Sequence, residues 1–210
     1  MDLYHLEASA PARACRLVAA AVGQPLNLKT VNLFEKEQLQ DWFIKLNPQH
    51  TIPTLVDGDF CLAESRAIMC YLVNKCKPDS PLYPKCPQAR ALVDRYLYFD
   101  MGTLYKSLAE YFYPKIMSGA PLDPEKETKL KDALGFLEAF LGDNDYLVGK
   151  EVTLADIAVA TSLTMTEVMN YELPAKIDAY YKRVQKFPHW AEINDKGIEA
   201  MRAFLNKNKA

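Results

Sequence analysis

The stretch NPQHTIPTLVDGDFCLAESRAI, residues 47–68, contains a histidine, an Ile-Pro step, a tight turn and a Glu-Ser-Arg run. Asp57-Gly58 between two apolar segments predicts a β-hairpin, because this dipeptide tolerates the positive φ that such turns require. Apolar residues then recur at helical intervals over residues 65–76, which predicts a helix. The stretch is therefore interpreted as an extended segment that ends at Pro53, a hairpin, and a helix that opens on Glu64.

The Ile52–Pro53 step has two interpretations. It is either a simple bend or a cis peptide bond, a form that is essentially limited to proline. In the cis form the N–H and C=O of Ile52 would face outward, where an extended peptide could pair with them as an added strand.

The start of the predicted helix also has two interpretations. Glu64 and Ser65 are either a capping pair for unpaired backbone N–H groups or part of a ligand site. In a ligand site the same N–H groups, aided by the helix dipole, would hold a carboxylate, and Glu64 would meet an ammonium group beside it. Arg66 either orients Glu64 or is solvated. The pattern points to the zwitterionic end of a small peptide.

Two further polar residues are candidates. His50 is either a surface histidine or a ligand for a second carboxylate at the far end of the peptide. Ser9 is either the N-cap of a helix that starts near Pro11 or a hydrogen-bond donor to a nucleophile. No histidine or aspartate is spaced to form an obvious serine triad with it. Cys15, six residues further on, is predicted to be core.

The N-terminal segments alternate between strand and helix. DLYHL predicts a strand, residues 11–22 a helix that Gly23 ends, LNLKTVNL a strand and EKEQLQDWFIKL a helix. With the hairpin and the helix after it, this order predicts an α/β domain over residues 1–78.

Prolines at 78, 81, 84 and 87 predict a linker over residues 79–87. Every periodic segment after it is helical, which predicts an all-α domain over residues 88–210. One long helix is expected from about Gln88 to Met117. The next should be capped by Asp123, and two final helices should cover about 175–186 and 189–206. Thr153 and Asp156 have the spacing of a capping box.

The composition excludes several classes of protein. The chain has 210 residues and a net charge of −2, which gives no electrostatic case for nucleic acid or an anionic membrane as a partner. No secretory signal and no apolar stretch of about 18 residues is visible. Five cysteines without a CxxC pair indicate a reducing compartment, so a cytoplasmic protein is expected. No Cys/His cluster has metal-ligand spacing, and no metal is expected.

Five segments, in order, resemble the cytosolic glutathione transferases, most closely the arthropod delta class. They are SAPARACR, LNPQHTIPTLVDGDFCLAESRAIMCYL, LYPKCP, RYLYFDMGTLY and TLADIAVA, and the resemblance covers essentially the whole chain. It implies a thioredoxin-like N-terminal domain, an all-helical C-terminal domain, a homodimer, and glutathione as co-substrate. The implied function is conjugation of the glutathione thiolate to hydrophobic electrophiles, with dehydrochlorinase or peroxidase chemistry as side activities.

The resemblance also implies roles for single residues. Ser9 matches the serine whose hydroxyl stabilises the glutathione thiolate, and Tyr98 matches an aromatic residue of the dimer interface. In the family the proline that matches Pro53 is cis. The residues that match the glutathione site are His50, Thr51, Ile52, Pro53, Glu64, Ser65 and Arg66. Those that match the apolar wall for the second substrate are Leu6, Ala10, Pro11, Tyr105, Leu108, Tyr113, Ile116, Met117 and Phe204.

One departure from the family leaves alternatives open. The family commonly has Pro-Gly before the serine, whereas this chain has Glu7-Ala8. Alanine tolerates positive φ poorly, and Glu7 adds negative charge near a site meant for a thiolate, so a displaced Ser9 and lower activity are open possibilities. The first rival is therefore a non-catalytic protein that binds glutathione or hydrophobic ligands. A purely structural module is disfavoured because Ser9, His50, Glu64 and Ser65 are all present. A thiol-disulfide oxidoreductase is disfavoured because this chain has Ser9 where that activity would need a cysteine.

Overall fold

The computed structural model describes residues 1–207, and the first part of this range contains a four-stranded sheet. The strands are β1 (Asp2–His5), β2 (Asn27–Thr30), β3 (Thr54–Asp57) and β4 (Phe60–Leu62). They lie in the order β2-β1-β3-β4, with β1 parallel to β2 and β3 antiparallel to both of its neighbours. The predicted hairpin is therefore present, and the thioredoxin-like fold class is confirmed.

Three helices belong to this domain: α1 (Ala10–Ala21), α2 (Asp41–Leu46) and α3 (Ser65–Cys76). α1 and α3 pack against each other. Their buried side chains, such as Leu17 and Ile68, join Leu3 of β1 and Leu55 of β3 in one core. Burial of this apolar surface is the main force that holds the helices to the sheet.

The segment between β2 and β3 differs from the prediction. One helix was expected over EKEQLQDWFIKL, but a 3₁₀ turn (Glu37–Leu39) and the short α2 replace it. Lys36 has a left-handed φ of 59° and Gln40 is extended with ψ at 147°, so the backbone leaves the helical region twice. β2 is shorter than the predicted strand, and its four side chains are all exposed at the edge of the sheet.

The second part of the chain is helical, as predicted. Its helices are α4 (Pro87–Phe99), α5 (Tyr105–Ser118), α6 (Pro124–Leu141), α7 (Leu154–Met169), α8 (Ala175–Val184) and α9 (Lys196–Lys207). The long helix predicted from Gln88 to Met117 is a continuous helical stretch, in which a π-helical turn, Asp100–Leu104, separates α4 from α5. A second π turn, Ala191–Asp195, leads into α9. Single π turns inside helices are frequent at functional sites.

α7 is the central helix of the molecule. Fourteen of its 16 residues are buried, and it packs against α1 of the first domain as well as α4 and α5. Its start carries the predicted capping box of Thr153 and Asp156. The predicted linker lies between α3 and α4, and its Leu82 carbonyl accepts a hydrogen bond from the Leu154 amide (2.9 Å). Within residues 1–207, no helix is both long enough and apolar enough to cross a bilayer.

Candidate active site

Three of the predicted site segments lie at one end of the sheet. β1 and β3 are antiparallel, so the carboxyl end of β1, which leads to Ser9, is next to the start of β3, which follows Pro53. α3 begins at Ser65, and the Cys15 thiol of α1 donates to the Ser65 carbonyl oxygen at 3.4 Å. The structure therefore gathers Ser9, Pro53 and the start of α3 around one region.

The loop before β3 is shaped by a buried amide. The Asn47 side chain donates from Nδ2 to the Thr51 carbonyl (3.0 Å) and to Thr54 Oγ1 (3.1 Å). The Ile52–Pro53 bond is cis. Among the described residues, the backbone of Ile52 makes no hydrogen bond, so its N–H and C=O remain available to a ligand.

His50 and Thr51 lie on the exposed part of this loop. His50 has a φ of 46°, a left-handed conformation that is uncommon outside glycine, asparagine and aspartate. His50 is exposed two residues before Ile52, so its imidazole is accessible to a second carboxylate of an extended ligand.

Glu64 is the most unusual residue of the site. It has φ 68° and ψ 104° at the N-cap position of α3, and its side chain makes no capping hydrogen bond. The capping interpretation of Glu64 is therefore wrong. The carboxylate is exposed, and within residues 1–207 it has no hydrogen-bond or ion-pair partner. A conformation of this kind costs on the order of 1–3 kcal/mol and persists at sites where it serves a function.

Behind Glu64 runs a buried polar chain. Arg66 Nη1 donates to Ser65 Oγ at 2.8 Å, and Arg66 Nε donates to Asp100 Oδ2 at 3.0 Å, with a second contact from Nη2 to the same oxygen. Asp100 is fully buried in the π turn. Arg66 therefore orients Ser65 and not Glu64, and the proposed alternative of a solvated Arg66 is wrong.

Ser9 is the N-cap of α1. Its hydroxyl oxygen accepts a hydrogen bond from the Ala12 amide at 3.4 Å, and the residue is only partly buried. A hydroxyl has two acceptor lone pairs and one donor O–H, so capping leaves the proton available. Ser9 can therefore cap α1 and still donate a hydrogen bond to a ligand atom above the helix start.

The Glu7-Ala8 loop shows neither backbone strain at Ala8 nor an uncompensated negative charge at Glu7. Ala8 is buried and does not have a positive φ. The Glu7 carboxylate is paired with Arg16 Nη1 at 2.7 Å, which neutralises the added charge.

Two other side chains near Ser9 are unsuited to activate a thiol. Tyr4 packs its ring against Trp42 and Phe43, with centroid distances of 5.9 and 6.0 Å. Cys15 is fully buried, as predicted, and burial raises the pKa of its thiol far above the ordinary value. An inert thiol of this type is structural.

Two pairs of aromatic side chains include residues predicted for the apolar wall. The hydroxyls of Tyr105 and Tyr113 are 2.7 Å apart, and the Arg66 guanidinium lies 5.4 Å from the Tyr105 ring centroid. Phe204 stacks on Phe34 with centroids 4.1 Å apart. One pair therefore lies within α5, and the other joins α9 to the segment after β2.

The other predicted wall residues divide by exposure. Leu108 and Ile116 have no exposed surface and belong to the apolar core. Ala10 is also buried, and Met117 is 49% exposed near the end of α5. Leu6 and Pro11 flank Ser9 and are partly exposed.

Tyr98 points away from the core. It is 70% exposed, whereas its neighbours Tyr96 and Phe99 pack against Phe140. Tyr98 lies on the rim of a cavity of about 430 Å³, whose other lining residues are Glu64, Arg66, Ala67, Cys70, Tyr83, Asp94, Leu97 and Met101.

Two residues of this region escaped the sequence analysis. Asp100 is 34 positions from its partner Arg66, and its only sequence signal was a lone carboxylate in an aromatic helical segment, RYLYFDMGTLY. Phe34 was not identified, because it lies between the predicted strand LNLKTVNL and the predicted helix EKEQLQDWFIKL and was assigned to neither. Among the described residues, no group of three or more potential ligands is placed to hold a metal ion.

Two family models match the chain: the N-terminal domain of glutathione S-transferase over residues 1–74, and its C-terminal domain over residues 103–189. A delta-class glutathione transferase of Nilaparvata lugens has a similar structure, with 44% identity, a TM-score of 0.93 and coverage of 99% of both chains. A Bombyx mori glutathione transferase is 36% identical over 97% of this chain and 96% of that one, with a TM-score of 0.92. An epsilon-class enzyme from the housefly Musca domestica is 35% identical over 99% and 97% of the two chains, with a TM-score of 0.88.

Proposed function

Because the chain belongs to the glutathione S-transferase family, whose co-substrate is glutathione, we propose that it conjugates the glutathione thiol to hydrophobic electrophiles. The observation that carries this proposal is Glu64. It is an unpaired carboxylate in a costly backbone conformation, at the start of a helix whose first residues are tied to a buried arginine. An ammonium group beside Glu64 and a carboxylate on the α3 N–H groups would match the γ-glutamyl end of glutathione.

The cysteinyl and glycyl parts of glutathione would lie along the loop before β3. Its cysteinyl backbone would pair with the N–H and C=O of Ile52, in the manner of an added strand. Thr51, Pro53 and the His50 imidazole would lie along the glycyl half. Ser65 would hold the glutamyl carboxylate with its hydroxyl oriented by Arg66.

The chemistry requires ionisation of the thiol. A free thiol with a pKa near 8.5 is only about 3% ionised at pH 7. Lowering this pKa by about two makes roughly three quarters of it ionised and requires about 2.7 kcal/mol. A hydrogen bond to a charged group contributes about 1.5–3 kcal/mol, so the Ser9 O–H and the α1 N-terminus are sufficient. The electrophile needs only to be held near the sulfur by the wall of Tyr105, Tyr113 and Phe204.

Glu64→Ala tests the binding site. We expect this variant to bind glutathione more weakly by about 2 kcal/mol, because the ammonium group of the ligand loses its counter-ion. Isothermal titration gives the affinity. Glutathione should also raise the melting temperature of the unaltered protein more than that of the variant, since a ligand selective for the folded state stabilises it by mass action. Equal affinity in the two proteins would refute the placement of the γ-glutamyl end.

Ser9→Ala tests the chemistry. We expect turnover to fall about 10- to 100-fold, the loss of roughly 1.4–2.8 kcal/mol, while glutathione affinity changes much less. Tyr4→Phe and Cys15→Ala are the matched controls and should leave the bound-thiol pKa near its starting value. The assay is glutathione consumption with a panel that includes a halogenated nitroarene and an organic hydroperoxide. If Ser9→Ala is silent and a control abolishes the thiolate absorbance, the assignment of Ser9 is wrong.

The proposal includes a homodimer. Tyr98 and the cavity beside it lie on the same face, so two copies related by a twofold axis can each insert a ring into the other's cavity. We expect the mass of a dimer by light scattering at micromolar concentration. A monomeric mass there would contradict it. All five cysteines are free thiols, which supports a reducing compartment such as the cytoplasm.

A further inference from the structure

Arg13 is a buried cation without a counter-ion. It lies on α1 one turn after Ser9, its amide donates to the Ser9 carbonyl (3.0 Å), and the residue is only 2% exposed. Its side chain makes four hydrogen bonds, all to neutral oxygens. No carboxylate of the described residues lies within ion-pair distance of its guanidinium. Burying an unpaired charge is costly, so a use for the charge is indicated.

Two of these bonds hold the loop that precedes the proposed catalytic serine. Arg13 Nη1 donates to the Ala8 carbonyl at 2.7 Å and to the Glu7 carbonyl at 3.3 Å. Because Ser9 follows directly, the fork of the guanidinium fixes the backbone on which the Ser9 hydroxyl is carried.

The other two bonds join this loop to the C-terminal domain. Arg13 Nε donates to Asn194 Oδ1 at 2.9 Å, and Nη2 donates to Thr164 Oγ1 of α7 at 2.6 Å. Gly197 leaves the space that the side chain occupies, since a Cβ at this position would lie 2.3 Å from Arg13 Cδ. Three parts of the C-terminal domain therefore accommodate one side chain of the first domain.

The neutral partner Asn194 leaves the positive charge of Arg13 without a counter-ion. Asn194 is fully buried, and its Nδ2 has no hydrogen-bond partner, so an aspartate of the same shape would remove an unpaired donor and supply a counter-ion. The chain has the neutral amide instead. Burial lowers the pKa of Arg13 to about 10, while Tyr181, Glu7 and Tyr113 act in the opposite direction, so Arg13 is still a cation at neutral pH.

The Arg13 charge lies close to the proposed catalytic serine, because Nη1 donates to the carbonyl of Ala8, the residue directly before Ser9. Burial raises the pKa of Tyr113, a residue of the proposed electrophile wall, while its hydrogen bond with Tyr105 and the Arg13 charge act in the opposite direction. The Glu7 carboxylate is ion-paired with Arg16 and not with Arg13, so it acts on the Arg13 charge only from beyond ion-pair distance. An anion bound beside Ser9 would supply the counter-ion that Arg13 lacks.

We propose that Arg13 is a positioning residue that holds the Glu7-Ala8-Ser9 backbone and supplies the positive charge that stabilises the bound glutathione thiolate. The inference rests on the proposed function and adds a residue to it. The positive charge and the Ser9 hydrogen bond act on the same sulfur, one through the field and the other by direct contact.

Asn194→Asp is the decisive variant, because it keeps Arg13 and its geometry but compensates the charge. We expect an unchanged or higher melting temperature, together with a rise of the bound-thiol pKa by about one. A change from about 6.5 to about 7.5 lowers the thiolate fraction at pH 7 about threefold. The acid limb of the kcat/KM profile should shift upward by the same amount, and the rates should converge at high pH. A structural role alone would lower the rate at every pH.

Arg13→Met and Arg13→Lys separate charge from shape. Arg13→Met should raise the bound-thiol pKa, and Arg13→Lys should restore it while turnover remains reduced, since lysine lacks the planar fork. Arg90→Met is the matched control: Arg90 also donates to two backbone carbonyls, those of Pro84 (2.7 Å) and Tyr83 (3.3 Å), but in the linker. It should leave the thiol pKa unchanged.

The outcomes are distinguishable. An unchanged bound-thiol pKa in folded Asn194→Asp, or failure of that variant to fold, overturns the role of Arg13. If the unaltered protein gives no thiolate absorbance with glutathione, the proposed function fails instead. Circular dichroism and the melting temperature establish folding for each variant, so the result for Asn194→Asp decides even if Arg13→Met does not fold.

Discussion

Asp100→Ala is expected to lower the free energy of unfolding by about 3–5 kcal/mol, because it removes one partner of a buried ion pair and strands the other. Asp100 is fully buried, and Arg66 is 13% exposed at its side chain. The guanidinium would then hold Ser65 without an anchor of its own. We therefore also expect glutathione affinity to fall in any folded protein that remains. Urea unfolding gives the stability, and calorimetric titration gives the affinity.

The control for this variant is an exposed pair of the same type. Asp79 and Lys85 are 84% and 66% exposed at their side chains, with 2.6 Å between the charged atoms. Exposed pairs contribute about 0–1 kcal/mol, so Asp79→Ala should be nearly silent. Similar losses in the two variants would show that burial of Asp100 does not determine its contribution.

Asp156→Ala is expected to cost about 4 kcal/mol or to prevent recovery of folded protein. One buried carboxylate accepts hydrogen bonds from the Leu147 amide (2.9 Å), the Thr153 amide (2.8 Å), the Thr153 hydroxyl (2.9 Å) and the Tyr180 hydroxyl (3.0 Å). Each buried donor left without an acceptor costs about 1–3 kcal/mol. The lost hydrogen bonds are at the start of α7, the helix against which both domains pack.

Asp123 provides the comparison for this second variant. It is the N-cap of α6 and accepts a hydrogen bond from the Glu125 amide at 2.9 Å, but in an exposed position. An exposed N-cap contributes about 1 kcal/mol. The Asp123→Ala variant should therefore have a free energy of unfolding only slightly below that of the unaltered protein. A denaturant midpoint for Asp156→Ala close to that of Asp123→Ala would contradict the account of the buried carboxylate.

Local signals in the sequence were sufficient for most of the fold. Asp57-Gly58 predicted the hairpin, and Thr153 with Asp156 predicted the start of α7, because the residues that determine these features are within four positions of one another. The split between the 3₁₀ turn and α2 was not predictable in this way. It depends on left-handed backbone at Lys36, which a charged surface residue does not indicate.

In the candidate site, too, local sequence signals did not predict contacts between residues that are far apart in the chain. Ser9, Ile52 and Glu64 were identified from a resemblance and from local pattern, and the structure brings their segments to one end of the sheet. The contacts behind them cross long stretches of chain: 34 positions from Arg66 to Asp100 and 181 from Arg13 to Asn194. A π turn sets the rotation of Asp100, and such a turn has no sequence signature comparable to a capping box.

The two edges of the sheet have a consequence for self-association. β2 and β4 are the outer strands, with four and three residues, and each presents unpaired backbone groups along its free side. An exposed edge can template a strand from another copy, which leads to polymerisation through β-pairing. Short length opposes this, and so does the charge of Lys29 within β2. Replacing Lys29 with an apolar residue would remove that protection on the β2 side, where the open edge would favour fibres over discrete particles.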